Sequence, residues 1–156
     1  IIRKYSSKIK HYIFISTTSV YFYKTPPPNP MTEKSPRVSF KNTYGGDKAL
    51  TENLLLNCKK KIPVTIFRPQ GVFGPYDPLH AGFVFYRIKN KLPIFIGENK
   101  NIQMNQLFVF DLIRAVSLSM GNSIAFGKNY NIVGDEALTL IEYIELCGEI
   151  CFKKPI

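Results

Sequence analysis

The sequence predicts an α/β protein with a parallel sheet, and three observations carry that prediction. Short continuous apolar runs rich in β-branched and aromatic residues, such as His11-Tyr-Ile-Phe-Ile15 and Val64-Thr-Ile-Phe67, read as strands buried on both faces. Stretches of helical periodicity alternate with them, as in βαβ units. Of the 156 residues, 45% are hydrophobic and 13% aromatic, enough for one domain-sized core.

The first strand, His11 to Ile15, ends in four hydroxyl residues, Ser16-Thr17-Thr18-Ser19. Residues 22–42 then carry Pro26-Pro27-Pro28, Pro30 and Pro36, which forbid regular helix or a central strand and predict an extended loop. From Thr43 a helix pattern runs to about Lys60, with Ala49, Leu50, Leu54 and Leu55 as its apolar stripe. The run Lys59-Lys60-Lys61 falls where that helix ends and answers the negative end of its dipole.

Pro63 opens the next strand, Val64 to Phe67, which runs into Arg68-Pro69. After Gly71, Gly74, Pro75 and Pro78 a helix is predicted from Phe83 to Asn90, then a short strand, Pro93-Ile-Phe-Ile96, and a polar loop through Gln103. Leu107 to Phe110 reads as a strand and Asp111 to Met120 as a helix with Leu112, Ala115, Val116 and Ser119 on one side. Tyr130 to Val133 is the last strand. The last helix opens with Thr139-Leu-Ile-Glu142, a capping-box pattern in which hydroxyl and carboxylate satisfy free backbone donors.

Composition narrows the function classes. A net charge of +10 and a pI near 9.6 suit a nucleic acid, an anionic membrane surface or a phosphorylated ligand. The lysines behind that charge are scattered, and the arginine-rich, aromatic-interleaved pattern of RNA binding is absent. Three cysteines, Cys58, Cys147 and Cys151, offer no disulfide framework and predict a reduced, cytoplasmic compartment. Cys147 and Cys151 stand one helical turn apart, but no second His or Cys pair completes a metal site, so no metal is expected. His11 and His80 are isolated and read as structural or surface residues. No apolar run reaches the roughly 18 to 20 residues of a membrane span, and the basic start followed by Tyr-Ile-Phe-Ile is too short for a signal peptide. The chain begins with Ile and stops at Lys-Pro-Ile straight after a predicted helix, which reads as a fragment.

Tyr44-Gly45-Gly46-Asp47-Lys48 carries the chemistry. Four residues apart on a helix, the phenol and the ammonium share one face with Cβ atoms roughly 5 to 6 Å apart. A free phenol, with a pKa near 10, exchanges protons poorly at neutral pH, and a nearby cation favours its ionised form. About one such spacing arises by chance among the Tyr and Lys of this sequence.

Its company raises it above chance. A strand ending in Ser16-Thr17-Thr18-Ser19-Val20-Tyr21, then Tyr44-x-x-x-Lys48, then Arg68-Pro69-Gln70-Gly71-Val72-Phe73-Gly74-Pro75 form an ordered set. Val109-Phe110-Asp111-Leu112 and Tyr130-Asn131-Ile132-Val133-Gly134 with Thr139 continue it. The set resembles the extended short-chain dehydrogenase/reductases, the NAD-dependent epimerase/dehydratase family, over nearly the whole chain from about Ile9.

The resemblance implies the C-terminal part of a Rossmann-type parallel sheet with a small α/β substrate-binding subdomain. Residues 1–74 would belong to the dinucleotide-binding domain with the catalytic helix. Residues 75–156 would form mainly the substrate-binding part, with 106–120 returning to the sheet. Tyr44 would be the general acid/base, Lys48 would lower its pKa and bind the nicotinamide ribose, and Thr17 would hold the reacting oxygen. Pro69 and Val72 would line the nicotinamide pocket, while Thr18, Gln70, Gly71, Tyr76, Arg87 and Asn105 are weaker candidates for substrate contacts. The cofactor would be NAD or NADP, the substrate a sugar or nucleotide-sugar, and the full-length form a homodimer through the catalytic helix, with Leu54 to Cys58 at the interface.

The sequence departs from the family in three places. No Gly-x-x-Gly-x-x-Gly turn is present, so half of the dinucleotide site is missing and the chain alone should bind NAD weakly or not at all. Thr18 and Ser19 stand where dehydratases carry an Asp-Glu pair, which favours epimerisation or reduction over dehydration. Gly71 and Gln103-Met104-Asn105-Gln106 replace the Asn and Arg that anchor nucleotide diphosphates in many epimerases. The alternatives are an RNA-binding member of the superfamily, such as the plastid stem-loop-binding proteins, and a partial protein without activity.

Overall fold

A computed structural model describes residues 2–21, 30–38, 42–58, 62–98 and 103–152. The proline-rich stretch through Pro28, the Lys59-Lys60-Lys61 run and the end at Lys-Pro-Ile lie outside the described residues. The chain divides into two compact units, Ile1–Gln70 with Asp111–Ile132, and Gly71–Phe110 with Val133–Ile156.

The first unit opens with a short helix, α1 (Ile2–Tyr5), which periodicity did not announce, followed by strand β1 (Tyr12–Ile15). A 3-10 turn over Thr18–Val20 leads into the loop, and helix α2 (Tyr44–Cys58) leads to strand β2 (Val64–Pro69). β2 lies between β1 and a later strand and pairs with both in parallel: Tyr12 faces Val64, and Pro69 faces Ile132. All six residues of β2 are buried, which is why Val64-Thr-Ile-Phe shows no polar alternation. Leu55, Ile62, Val64 and Ile66 form one core cluster, with Tyr12 and Phe14 against it. Val20, Tyr21 and Ala49 form a second, covered by Met31 and Val38.

The second unit holds two small strand pairs and two helices. Strands β3 (Val72–Phe73) and β5 (Leu107–Phe108) pair in parallel, and β4 (Gln103–Asn105) pairs antiparallel with β7 (Ala137–Thr139). Helix α3 (Ala81–Lys89) packs against α5 (Leu140–Phe152). Helix α4 (Val109–Ser119) and strand β6 (Asn129–Ile132), the neighbour of β2, complete the chain order. Asp77 starts α3, its carboxylate accepting from the backbone N–H of Leu79, His80 and Ala81 at 3.0, 3.1 and 2.9 Å. At α5 the capping box forms: Glu142 Oε2 accepts from Thr139 N at 2.7 Å, and Glu142 N donates to Thr139 Oγ1 at 3.2 Å.

Four expectations change. Pro93-Ile-Phe-Ile96 is not a strand; it pairs with no strand among the described residues, Phe95 is 88% exposed, and Pro93 O instead accepts from Arg87 Nε at 2.6 Å. The expected polar loop through Gln103 ends in β4, a strand without apolar signal that exists because β7 is there to pair with it. Leu107–Phe110 is extended only to Phe108, since α4 already starts at Val109. The stripe of α2 is misplaced: Ala49 and Leu55 are buried, but Leu50 and Leu54 face outward, and the buried line runs through Gly45, Gly46, Ala49, Glu52 and Leu55.

His11 is structural. Gly121 N donates to His11 Nδ1 at 3.2 Å, so the proton sits on Nε2 and donates to Thr65 Oγ1 at 2.9 Å, which passes its own to Ala125 O at 2.6 Å. Burial lowers the pKa of the imidazole. Among the described residues no helix is long and apolar enough to cross a membrane, and no cluster of three or more His, Cys, Asp or Glu side chains could hold a metal ion.

Candidate active site

The first turn of α2 brings Tyr44 and Lys48 together as their spacing requires. Thr43 caps it, its Oγ1 accepting from Gly46 N at 3.1 Å. The Lys48 ammonium lies 5.9 Å from the centre of the Tyr44 ring and 5.0 Å from that of Phe14. It donates to Ile15 O at 2.9 Å, at the carboxyl end of β1. Tyr44 is 66% exposed, so its phenol is open to an incoming molecule.

Gly45 sets the approach of the hydroxyl segment. A Cβ there would stand 2.0 Å from Ser19 O, so only glycine lets the 3-10 turn lie directly on α2. Thr17 precedes that turn and is buried; its Oγ1 accepts from Ser19 N at 3.1 Å and donates to Ser19 Oγ at 3.2 Å. Its hydroxyl therefore serves as a cap here. Thr18 begins the turn. Pro69 closes β2, and Gln70 N donates to Ile132 O at 3.2 Å. Thr17, Thr18, Tyr44, Lys48, Pro69 and Gln70 thus belong to the first unit, and Thr17 and Gln70 follow the carboxyl ends of parallel strands, where open α/β sheets bind ligands.

The other candidates belong to the second unit. Gly71 has φ +49°, and a Cβ there would stand 2.8 Å from Gln106 Oε1. Val72 starts β3, and Tyr76 is fully exposed with φ +69°. Arg87 is engaged locally, with Pro93 O and with its guanidinium 5.4 Å from the centre of the Phe83 ring. Asn105 Nδ2 donates to Gly134 O at 3.2 Å and Glu136 O at 3.3 Å, holding the loop before β7. This unit also contains a cavity of about 460 Å³ lined by Phe73, Phe85, Met104, Gln106, Leu138 and Tyr143, among others.

Sequence reasoning missed a buried charged cluster behind the Tyr44–Lys48 face. Glu52 on α2 is 0% exposed and Arg68 on β2 1%. Arg68 Nε donates to Glu52 Oε1 at 2.9 Å and Nη2 to Glu52 Oε2 at 2.6 Å, while Nη1 donates to Tyr21 Oη at 2.9 Å. Arg37 Nη1 donates to Glu52 Oε2 at 2.7 Å, and Tyr21 Oη donates to Asn131 Oδ1 on β6. Burial alone raises the Glu52 pKa, but hydrogen bonds and charge from Arg68, with Arg37, hold it below the usual carboxylate value. A signal existed: Glu52 falls on the same helical line as Ala49 and Leu55, where a carboxylate must find a cation.

Comparison with known proteins places this arrangement. The family model for NAD dependent epimerase/dehydratases matches residues 1–133. The chain belongs to that family. A curated relative, the uncharacterized UDP-glucose epimerase YtcB of Bacillus subtilis, is 27% identical over 152 residues, covering 94% of this chain and 46% of the relative. Among solved structures, an epimerase of Methanothermobacter thermautotrophicus superposes with a TM-score of 0.83 at 19% identity, over 96% of this chain and 47% of that one. The UDP-glucuronic acid 4-epimerase of Bacillus cereus, solved with UDP-glucuronic acid and NAD, gives 0.80 at 22% identity over 98% of this chain and 49% of its own. These neighbours show the Rossmann-type fold, and the chain spans about half the length of each.

Proposed function

We propose that this chain carries the catalytic helix and the substrate-side unit of an NAD(P)-dependent enzyme that epimerises or reduces a sugar or nucleotide-sugar. The observation that supports it best is the Lys48 ammonium beside the exposed Tyr44 phenol, with the Thr17–Ser19 segment laid on the same helix at Gly45. Tyr44 exchanges a proton with a hydroxyl or carbonyl oxygen of the sugar. Lys48 attracts the negative charge that develops on the phenol oxygen and, with two N–H donors left beside the one on Ile15 O, would donate to a ribose hydroxyl. Thr17 turns its hydroxyl from Ser19 to the reacting oxygen. Pro69 and Val72 are the candidates for the nicotinamide, and Thr18, Gln70, Gly71, Tyr76, Arg87 and Asn105 those for the substrate.

The hydride chemistry would be supplied by a bound dinucleotide, which would accept and return a hydride in an epimerisation or donate one in a reduction. Lys48 and the carboxyl ends of β1 and β2 suit its nicotinamide end, while the sequence supplies no glycine-rich turn for its pyrophosphate. That relatives include a UDP-glucuronic acid 4-epimerase bound to UDP-glucuronic acid and NAD supports the substrate and cofactor classes. Thr18 and Ser19 in place of an acidic pair favour epimerisation or reduction. The outward-facing Leu50 and Leu54 support self-association through α2.

Tyr44→Phe tests the reading in a polypeptide that contains this chain together with a glycine-rich cofactor half. Turnover of UDP-glucose or UDP-glucuronic acid should fall at least about a hundredfold, and unchanged turnover would remove the proposed acid/base. Calorimetry on the chain alone should show no micromolar NAD binding.

A further inference from the structure

We propose that the Glu52–Arg68 pair, completed by Tyr21, is a positioning device that fixes where Tyr44, Lys48 and the Thr17–Ser19 segment stand relative to one another. The inference rests on the reading of Tyr44 and Lys48 given above, and it concerns residues that touch neither substrate nor cofactor.

Three chain segments carry the proposed chemistry, and each contributes a side chain to this one cluster. Glu52 is four residues beyond Lys48 and eight beyond Tyr44, on the same helix, so holding Glu52 fixes the rotation and height of α2. Arg68 is covalently next to Pro69, at the carboxyl end of β2. Tyr21 comes three residues after Thr18, at the end of the 3-10 turn. Arg68 uses three of its nitrogens in different directions, Nε and Nη2 as a fork on Glu52 and Nη1 on Tyr21 Oη. A lysine could not hold these directions at once. Tyr21 passes the link to Asn131 of β6, whose Nδ2 donates to Met31 O at 3.2 Å, and Arg37 reaches Glu52 from the loop.

Stability alone does not explain such a pair, because well-packed apolar residues of similar volume often hold a core as well or better. What the ion pair adds is direction. A fork of fixed geometry defines one registry between helix, strand and turn, where apolar contact would tolerate several.

The experiment uses Tyr21→Phe, which removes one hydroxyl, and Glu52→Asp, which keeps the charge but shortens its reach. In the chain itself, the acetylation rate of Lys48 relative to the exposed Lys89 is followed by mass spectrometry. Each variant should raise that ratio roughly threefold or more, as Lys48 loses its seat on Ile15 O while the chain stays folded. An unchanged ratio in Tyr21→Phe overturns the proposal even if Glu52→Asp fails to fold. In the longer polypeptide the same variants should lower kcat about tenfold or more with the sugar-nucleotide KM within roughly threefold. If Tyr44→Phe abolishes turnover while Tyr21→Phe and Glu52→Asp leave kcat intact, the positioning role is wrong and the catalytic reading stands. If the Lys48 ratio rises but Tyr44→Phe turns over normally, the catalytic reading fails and the clamp remains.

Discussion

The two units differ in how they hold their shape. Every buried polar or charged residue among the described residues, Ser16, Thr17, Glu52, Thr65, Arg68 and Ser119, belongs to the first unit. There the Arg68 fork and the His11–Thr65 relay tie strands, helix and loops through directed bonds. Among the described residues the second unit buries only Ala81, Val84, Leu107 and Cys147, and its polar Gln106 and Tyr143 are only half-buried. Both residues line its cavity. Directed bonds specify one geometry, whereas apolar contact specifies a neighbourhood. The unit with the Tyr44–Lys48 pair is therefore the one whose registry directed bonds set, and the other encloses a cavity.

The sharpest way to break this contrast is to leave a charge stranded. Glu52→Leu alone should destabilise the chain by about 3–5 kcal/mol in urea unfolding, because Arg68 keeps its buried guanidinium without its carboxylate. Glu52→Leu with Arg68→Met should recover most of that loss. A double variant as unstable as the single one would mean that the cluster's neighbours, Tyr21 and Arg37, carry more than assumed.

Glycine-to-alanine changes probe the same difference with opposite signs. Gly45→Ala drives a methyl into Ser19 O and should destabilise by about 1–3 kcal/mol. Gly148→Ala on α5 meets nothing within 4 Å and should stabilise by up to about 1 kcal/mol through helix propensity. Equal signs would erase the distinction. A smaller loss, about 1 kcal/mol, is expected for Thr139→Ala, which opens the α5 cap, again read as a shift in the urea midpoint.

The smallest effect is on pH. Because the folded pKa of His11 lies below 6.5, the unfolded chain takes up its proton first, and stability should decline as pH falls below about 6.5 toward the folded value. His11→Gln should remove that slope. Glu52 contributes stability that is present above its unfolded pKa and lost as pH falls through its depressed folded one, which adds a decline further down.

How much of this was legible depended on whether the signal was local. β2 was readable because both of its faces are buried, α2 because Thr43 caps it, and α5 because Thr139 and Glu142 lie three residues apart. Tyr44 and Lys48 were readable for the same reason, since one helical turn guarantees their proximity. β4 was not, because Gln103-Met104-Asn105 becomes a strand only by meeting Ala137–Thr139, far along the chain. Pro93–Ile96 erred the other way: apolar and β-branched, it finds no neighbour to pair with. The Glu52–Arg68 pair joins residues whose partnership no periodicity announces, and assigning Leu50 and Leu54 to the buried stripe hid the one charge that needed explaining.

The side of β1 turned away from β2 has a practical consequence. Tyr12 N bonds to Pro63 O, just before β2, and Ser16 N to Phe67 O of β2, so the backbone groups of Ile13 and Ile15 point the other way, where no described strand meets them and Lys48 Nζ takes Ile15 O. Such a border is adhesive to any extended peptide. Lys8 and Lys10 stand exposed just before it, and like charge there, with Lys48 on Ile15 O, opposes stacking of like molecules. Added salt shortens the reach of that repulsion to about 3 Å at 1 M. Preparations should accordingly stay clear in dilute buffer and turn cloudy as salt is raised.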